Sequence, residues 1–267
     1  MCGVRLLALA TFVVPLAAGF AASRLRLITL DLDDTLWPTA RVVHAANTHL
    51  LSKMQAEGIT CTTSELQSHM RLVRWGWQRA TPPTYSEQRL AAIAAVVRKR
   101  HPRGVPGVDA DILASTLFAE WLGERHAAAE RLLFPGALDA LSALRVDHPD
   151  AALVAVTNGR GNPLDMPLIA PFFDFCVSGE DGDIHPHRKP SRVIYQRTLE
   201  RAQCGADAWA HVGDCKLNDV GAAKSAGAFT VWLSPSLPPT PPADFGVVVS
   251  TAALAPRTAG LRPTLLT

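Results

Sequence analysis

Apolar positions along this chain follow two periods. Five runs, LRLITL (25–30), AALVAVTNG (151–159), WAHVGD (209–214), AFTVWL (228–233) and FGVVVSTAAL (245–254), are short and nearly continuous. Continuous apolar runs suit strands covered on both faces, as in a parallel sheet, with the last run as an edge strand. Between them lie segments with helical spacing, among them ALDALSALR, PSRVIYQRTLERAQ and NDVGAAKSAG. Strands alternating with helices predict an α/β protein with a doubly wound, Rossmann-like core whose ligands bind at the carboxyl ends of its strands.

After the first run the pattern changes. VVHAANTHLLSKMQAEG, TSELQSHMRLVRWGWQRA, YSEQRLAAIAAVVRKR and DADILASTLFAEWLGERHAAAERL read as four amphipathic helices, punctuated by Gly58, Pro82-Pro83 and PRGVPG. They form a helical insertion over 40–132, and Phe134-Pro135-Gly136 returns the chain to a core built from 24–39 and 133–250. PSLPPTPPAD (235–244) cannot make ladders, since proline lacks the donor, and 251–267 reads as a disordered tail.

Composition narrows the partners. The chain has 267 residues, 48% of them apolar and 19% charged, with a net charge of +2, which suits a globular protein with a sizeable core. Its basic residues are scattered, so a small molecule is favoured over nucleic acid. Five separated cysteines with no CxxC pair argue for reduced thiols. At the start, Arg5, the run LLALATFVVPLAAGF and the exit AAS make 1–23 a targeting segment. Its apolar stretch is short of the roughly 20 residues of a membrane span, so no stable span is expected in the mature protein. AAGFAAS resembles plastid-import signals of algae with secondary plastids, with the secretory pathway or an extracellular location as the alternative.

The strand ends carry the chemistry. The first apolar run leads straight into Asp31, Asp33 and Asp34, and like charges this close repel unless a positive group sits among them. Three more polar clusters follow in order: TNG (157–159), RKP (188–190) and GDCKLND (213–219). Singly, each is an ordinary turn or cap. In sequence, with a helical insertion after the first, they resemble the haloacid dehalogenase-like superfamily, mostly magnesium-dependent phosphatases, over about 26 to 235.

That resemblance implies roles. Asp31 is the nucleophile that becomes phosphorylated while also binding Mg²⁺, and Asp33 is the general acid and then base, with its backbone carbonyl on the metal. Thr157, Asn158 and Lys189 hold the phosphoryl group. Asp214 completes the metal ligands Asp31, Asp33 and Asp214, and Asn218 and Asp219 position water and Lys189. An oxygen-only site suits Mg²⁺. Asp34 reads instead as a helix cap or surface residue. Because dehalogenases of this superfamily lack the second acid, Asp33 points to phosphate chemistry. A sugar-phosphate phosphatase or phosphomutase, and an idle homologue serving as a binding module, remain as alternatives.

Substrate choice is expected in the insertion, which closes over the site as a cap in this superfamily. RLVRWGWQRA (71–80) is its unusual stretch: Trp75 and Trp77 either pack the cap interior or form a platform for a flat ring, with Arg74 meeting anionic or carbonyl groups. The motif surroundings look closest to flavin mononucleotide phosphatases, which also act on the ribitylaminouracil phosphate of riboflavin synthesis. Cys215 reads as filler beside the site, and His185 and His187 as loop residues.

Overall fold

The computed structural model describes residues 25–100, 109–234 and 245–248. The targeting segment, PRGVPG, PSLPPTPPAD and the tail 251–267 lie outside the described residues. Six strands, β1 (Leu27–Leu30), β2 (Ala152–Thr157), β3 (Phe175–Ser178), β4 (Trp209–Gly213), β5 (Phe229–Ser234) and β6 (Phe245–Val248), make one sheet. Their order is β3-β2-β1-β4-β5-β6 and every pairing is parallel. Five of these strands begin in the apolar runs of the sequence. β3 escaped notice because it is only FCVS, follows two proline-containing 3₁₀ turns, and has one fully buried position at the sheet's edge.

β1 is central and wholly buried, with Leu27 opposite Ala152 on one side and Trp209 on the other. Side chains alternate between faces of a strand. Ile28 and Leu30 accordingly join one cluster, with Leu141, Leu144 and Leu153. Leu27 joins the other, with Val154, Val156, Ile194, Tyr195 and Trp209. The helices covering these faces are α5 (Ala137–Asp147) and α6 (Arg192–Ala202).

The insertion contains α1 (Thr39–Ala56), α2 (Thr63–Trp75), α3 (Tyr85–Arg100) and α4 (Ala110–Arg131). It has a core of its own, in which Leu50, Met54, Ile59, Ile93, Val97, Leu117 and Trp121 are buried together. α1 and α4 reach both cores, since Val42, Ala128 and Ala129 belong to the sheet's cluster. Local chemistry sets the helix ends. Thr62 accepts from the Glu65 N–H, Asp109 from those of Asp111 and Ile112, and Thr84 and Glu87 cap each other reciprocally. α2 stops at Trp75, with the Gly76 N–H bonded to the Leu72 carbonyl, so the helix expected through Ala80 ends a turn early. No helix among the described residues is long and apolar enough to cross a membrane.

Leu50→Ala would open a cavity in the insertion's core, fully enclosed at that point. We expect a loss of about 2–5 kcal/mol, read as a lower urea midpoint at unchanged m. Burial also holds His126, His148 and His211 below the ordinary histidine value of 6.5. At these histidines the unfolded chain binds more protons than the native one just below that value, so their contribution to stability is complete above it and is lost as pH falls. Carboxyls raised by burial, Asp31 and Asp214, act in the opposite sense over the same range, so the test is a difference: from about pH 7.5 to about 5.5 the Tm of the parent should drop relative to that of His148→Gln.

Candidate active site

In an open parallel sheet the binding crevice lies where neighbouring strands lead off in opposite directions, at their carboxyl ends. Here that point is between β1 and β4. Asp31 follows β1 directly and Asp214 follows β4, so the backbone delivers both carboxylates to one crevice. β2 ends alongside, in Thr157.

Lys189 binds these elements together. It is 3% exposed, and its ammonium donates to Asp31 Oδ1 at 2.5 Å, Asp219 Oδ1 at 2.7 Å and the Val156 carbonyl at 2.9 Å. All three of its donors are thereby used. Burial opposes charge on Lys189, but Asp31 and Asp219 outweigh it and raise its pKa. Asp219 is held below the usual carboxylate range: burial opposes ionisation, and Lys189 and His211 overcome it. Burial drives Asp31 up to about 7, with Lys189 pulling down and Asp219 pushing up. Asp214 is likewise raised to about 6 by burial, Asp219 and Asp34.

Asp31, Asp214 and Asp219 each offer a carboxylate oxygen, and those atoms lie within 4.8 Å of one another. Three carboxylates facing one ammonium carry a formal surplus of two negative charges. A hard dication fits both that surplus and an all-oxygen donor set. Asp219, expected to position water and Lys189, thus joins Asp31 and Asp214 in the acidic group, while the metal role expected of Asp33 belongs to its backbone carbonyl. The Asp33 carboxylate is engaged elsewhere: Arg125 Nη2 donates to both its oxygens at 2.9 Å and the Trp37 indole to Oδ1 at 2.9 Å. That leaves its backbone carbonyl as the part of Asp33 open to the expected metal role.

The remaining expected residues are placed as follows. Thr157 is buried at the end of β2, its hydroxyl accepting from the Gly159 N–H at 3.3 Å. Asn158 donates to the Lys189 carbonyl at 3.0 Å, tying the second motif to the third. Asn218 makes its contacts through the backbone, its carbonyl accepting from the Tyr195 hydroxyl at 2.5 Å. Asp219 sits in a π-helical turn, Lys216–Gly221, a form often found at functional sites, and its Oδ2 accepts from the Cys215 N–H at 2.9 Å. Gly213 allows this approach, since a Cβ there would lie 2.5 Å from the Asp219 side chain. Asp34 is a cap: left-handed at φ 62°, it accepts from the Thr39 N–H at 2.9 Å, at the start of α1.

The ring platform is not formed. Trp75 is 90% exposed at the end of α2 and so lies outside the cap interior. The Trp77 indole donates to the Thr81 carbonyl at 2.8 Å, with Arg79 over its ring. Two residues apart, the indoles would not share a face even of a continuous helix, and this helix ends between them at Gly76. Arg74 does line a pocket, beside Asn158 and Arg188.

Several participants were not foreseen. Arg125 is buried and comes from α4, far along the chain from Asp33. His211 lies 3.4 Å from Asp219 through Nε2 and 2.7 Å from Thr29 through Nδ1, and Thr29 also accepts from the Trp209 indole. Thr35 donates to Asp31 Oδ2 at 3.2 Å. The T of DLDDT and the H of WAHVGD were visible as polar residues in apolar runs, whereas nothing distinguished Arg125 from other arginines on amphipathic helices.

Comparison with known proteins agrees with this geometry. No curated protein sequence matches the chain. A 2-haloacid dehalogenase from Pseudomonas syringae pv. Tomato is 26% identical, with 84% of this chain and 94% of that one covered and a TM-score of 0.62. A HAD-hydrolase of Bacillus subtilis, crystallised with magnesium, is 22% identical over 84% and 94% of the two chains, with a TM-score of 0.52. A HAD phosphatase from Thermococcus onnurineus is 17% identical over 83% and 93%, with a TM-score of 0.49. The family described as haloacid dehalogenase-like hydrolase matches residues 25–227, a span that takes in β1 with its acidic end, the helical insertion, Lys189 and the turn carrying Asp219. The chain belongs to the haloacid dehalogenase-like hydrolases.

Proposed function

We propose that the protein is a Mg²⁺-dependent phosphomonoesterase acting on a small phosphorylated metabolite through a phosphorylated Asp31. The observation that carries this reading is the surplus of negative charge where Asp31, Asp214 and Asp219 converge around Lys189. A dication held there supplies charge neutralisation for the phosphoryl oxygens.

The chain's own residues do the rest. Asp31 attacks phosphorus, forming an acyl phosphate as the bond to the leaving oxygen breaks, and Asp33 gives that oxygen a proton. In the second step Asp33 takes a proton from water, whose oxygen attacks phosphorus and frees Asp31 and inorganic phosphate. Lys189, held on both sides, offers a fixed positive charge that needs no reorientation during the reaction. The bonds from Arg125 keep the Asp33 carboxylate on the side of the helical insertion, so donating a proton requires it to turn toward the leaving oxygen.

The likeness to the Pseudomonas syringae enzyme favours a second reading, carbon–halogen hydrolysis. A departing halide needs no proton and the carboxylate attack needs no dication, so that chemistry would leave Asp33 and the acidic group without a task. Among phosphate esters, the flavin mononucleotide and ribitylaminouracil substrates now rest on motif surroundings alone, the stacking platform being unformed.

Phosphate release from p-nitrophenyl phosphate should require Mg²⁺, stop with EDTA and fall by on the order of 10³-fold or more in Asp31→Asn. Release of halide from 2-chloropropionate with no activity on any phosphate ester would overturn the reading. Asp33→Asn should cost about 10²–10⁴-fold on glycerol 3-phosphate and distinctly less on p-nitrophenyl phosphate, whose leaving group needs little help. Lys189→Met would leave two buried carboxylates unpaired, and a stability loss of about 3–5 kcal/mol in denaturant titration is expected.

A further inference from the structure

Beside the site lies a pocket of about 130 Å³ between the insertion and the core. Two of its lining residues are immediate neighbours of the phosphate motifs, Asn158 after Thr157 and Arg188 before Lys189. The pocket is therefore continuous in the chain with the groups that would hold the phosphoryl oxygens. On its other side are Arg74 from α2 and Tyr85 at the start of α3.

The pocket's charges are unevenly satisfied. Arg188 lies with its guanidinium 4.5 Å from the centre of the Tyr85 ring. Neither Arg188 nor Arg74 has a carboxylate partner among the described residues. The one acid in the lining, Glu180, is committed: it accepts from the Ser86 N–H at 3.2 Å, at the positive N-terminus of α3. His185 is committed as well, 2.7 Å from the Pro82 carbonyl. These two contacts join core loops to the insertion and fix the pocket's walls, whose lining sets two arginines against one carboxylate, an excess of positive charge.

We propose that this pocket receives a carboxylate on the body of the substrate, bound by Arg188 and Arg74, which makes the substrate a short phosphorylated carboxylic acid. The proposal rests on the phosphomonoesterase reading. Guanidinium forks match a carboxylate through paired N–H donors, which fixes orientation as well as charge. A volume of about 130 Å³ is below the roughly 300–1,000 Å³ of pockets that enclose drug-sized ligands, so the pocket suits a small charged substituent better than a three-ring flavin.

The test is a matched pair. With Mg²⁺ present, kcat/KM should be at least about tenfold higher for 3-phosphoglycerate than for glycerol 3-phosphate, a carboxylate being worth about that in a guanidinium site. Arg188→Gln should lower 3-phosphoglycerate turnover at least about tenfold more than that of glycerol 3-phosphate, mainly through KM. Arg74→Gln, remote from Lys189 in sequence, should act in the same direction and guards against a purely structural effect at Arg188. Equal kcat/KM on the pair, equal losses on both substrates in both variants, or a preference for fructose 1,6-bisphosphate or flavin mononucleotide over 3-phosphoglycerate would each overturn the carboxylate pocket. These results, with p-nitrophenyl phosphate still hydrolysed, reject the pocket alone; no hydrolysis of p-nitrophenyl phosphate rejects the phosphatase reading itself.

Discussion

The buried ammonium of Lys189 is the contact on which the site's geometry depends. It joins the end of β1, the end of β2 and the π-helical turn after β4 through three hydrogen bonds, and it sits where burial alone would favour its neutral form. Two carboxylates keep it charged, and it in turn keeps Asp219 ionised. Removing any member leaves an opposite charge stranded away from water, which costs more than the pair itself contributes. What such a cluster fixes is placement: Asp31 cannot drift without breaking a bond that also holds Asp219. The site is thus arranged before any substrate arrives, which is the condition for electrostatic catalysis.

Much of this was legible in the chain. Buried parallel strands declare themselves as apolar runs, and the polar clusters at their ends need only the sheet's polarity to fall on one side of it. DLDDT, TNG and GDCKLND could be assigned to one crevice for that reason, RKP was joined to them by the resemblance to the family, and Asp34 was separable as a cap because Asp favours such a position. What escaped was set by tertiary contact. Asp219, read as a supporting residue, joins the acidic group because Gly213 lets the π-helical turn come close. Arg125 meets Asp33 through the packing of α4 against the core, and no periodicity encodes that meeting. Trp75 failed in the opposite sense: an aromatic on an amphipathic helix suggests burial or stacking, yet a helix that stops at Gly76 leaves it on the outside.

The insertion and the core meet in two different ways. At one end Arg125 and Asp33 form a charged contact beside Asp31. At the other, the start of α3 is capped by a core glutamate, and Arg188 of the core lies on Tyr85 of the insertion. Both seams are polar, while the apolar cores behind them are largely separate clusters. Polar seams can part and re-form in water at modest cost, whereas a continuous apolar core could not.

The position of β1 has a consequence for how the molecule comes into being. Among the described strands it is the first to leave the ribosome, yet it must wait for both neighbours, one at Ala152 and the other at Trp209. Until β4 has been synthesised, a mostly apolar strand keeps an open edge, while α1 to α4 can already collapse on their own cluster. Nascent chains therefore pass through a stage in which the insertion is folded and the central strand is still seeking partners. The same long separation means that Asp31 acquires Lys189 only after 158 further residues have been made, and Asp219 later still, so shorter products carry the Asp31 carboxylate without its buried partners.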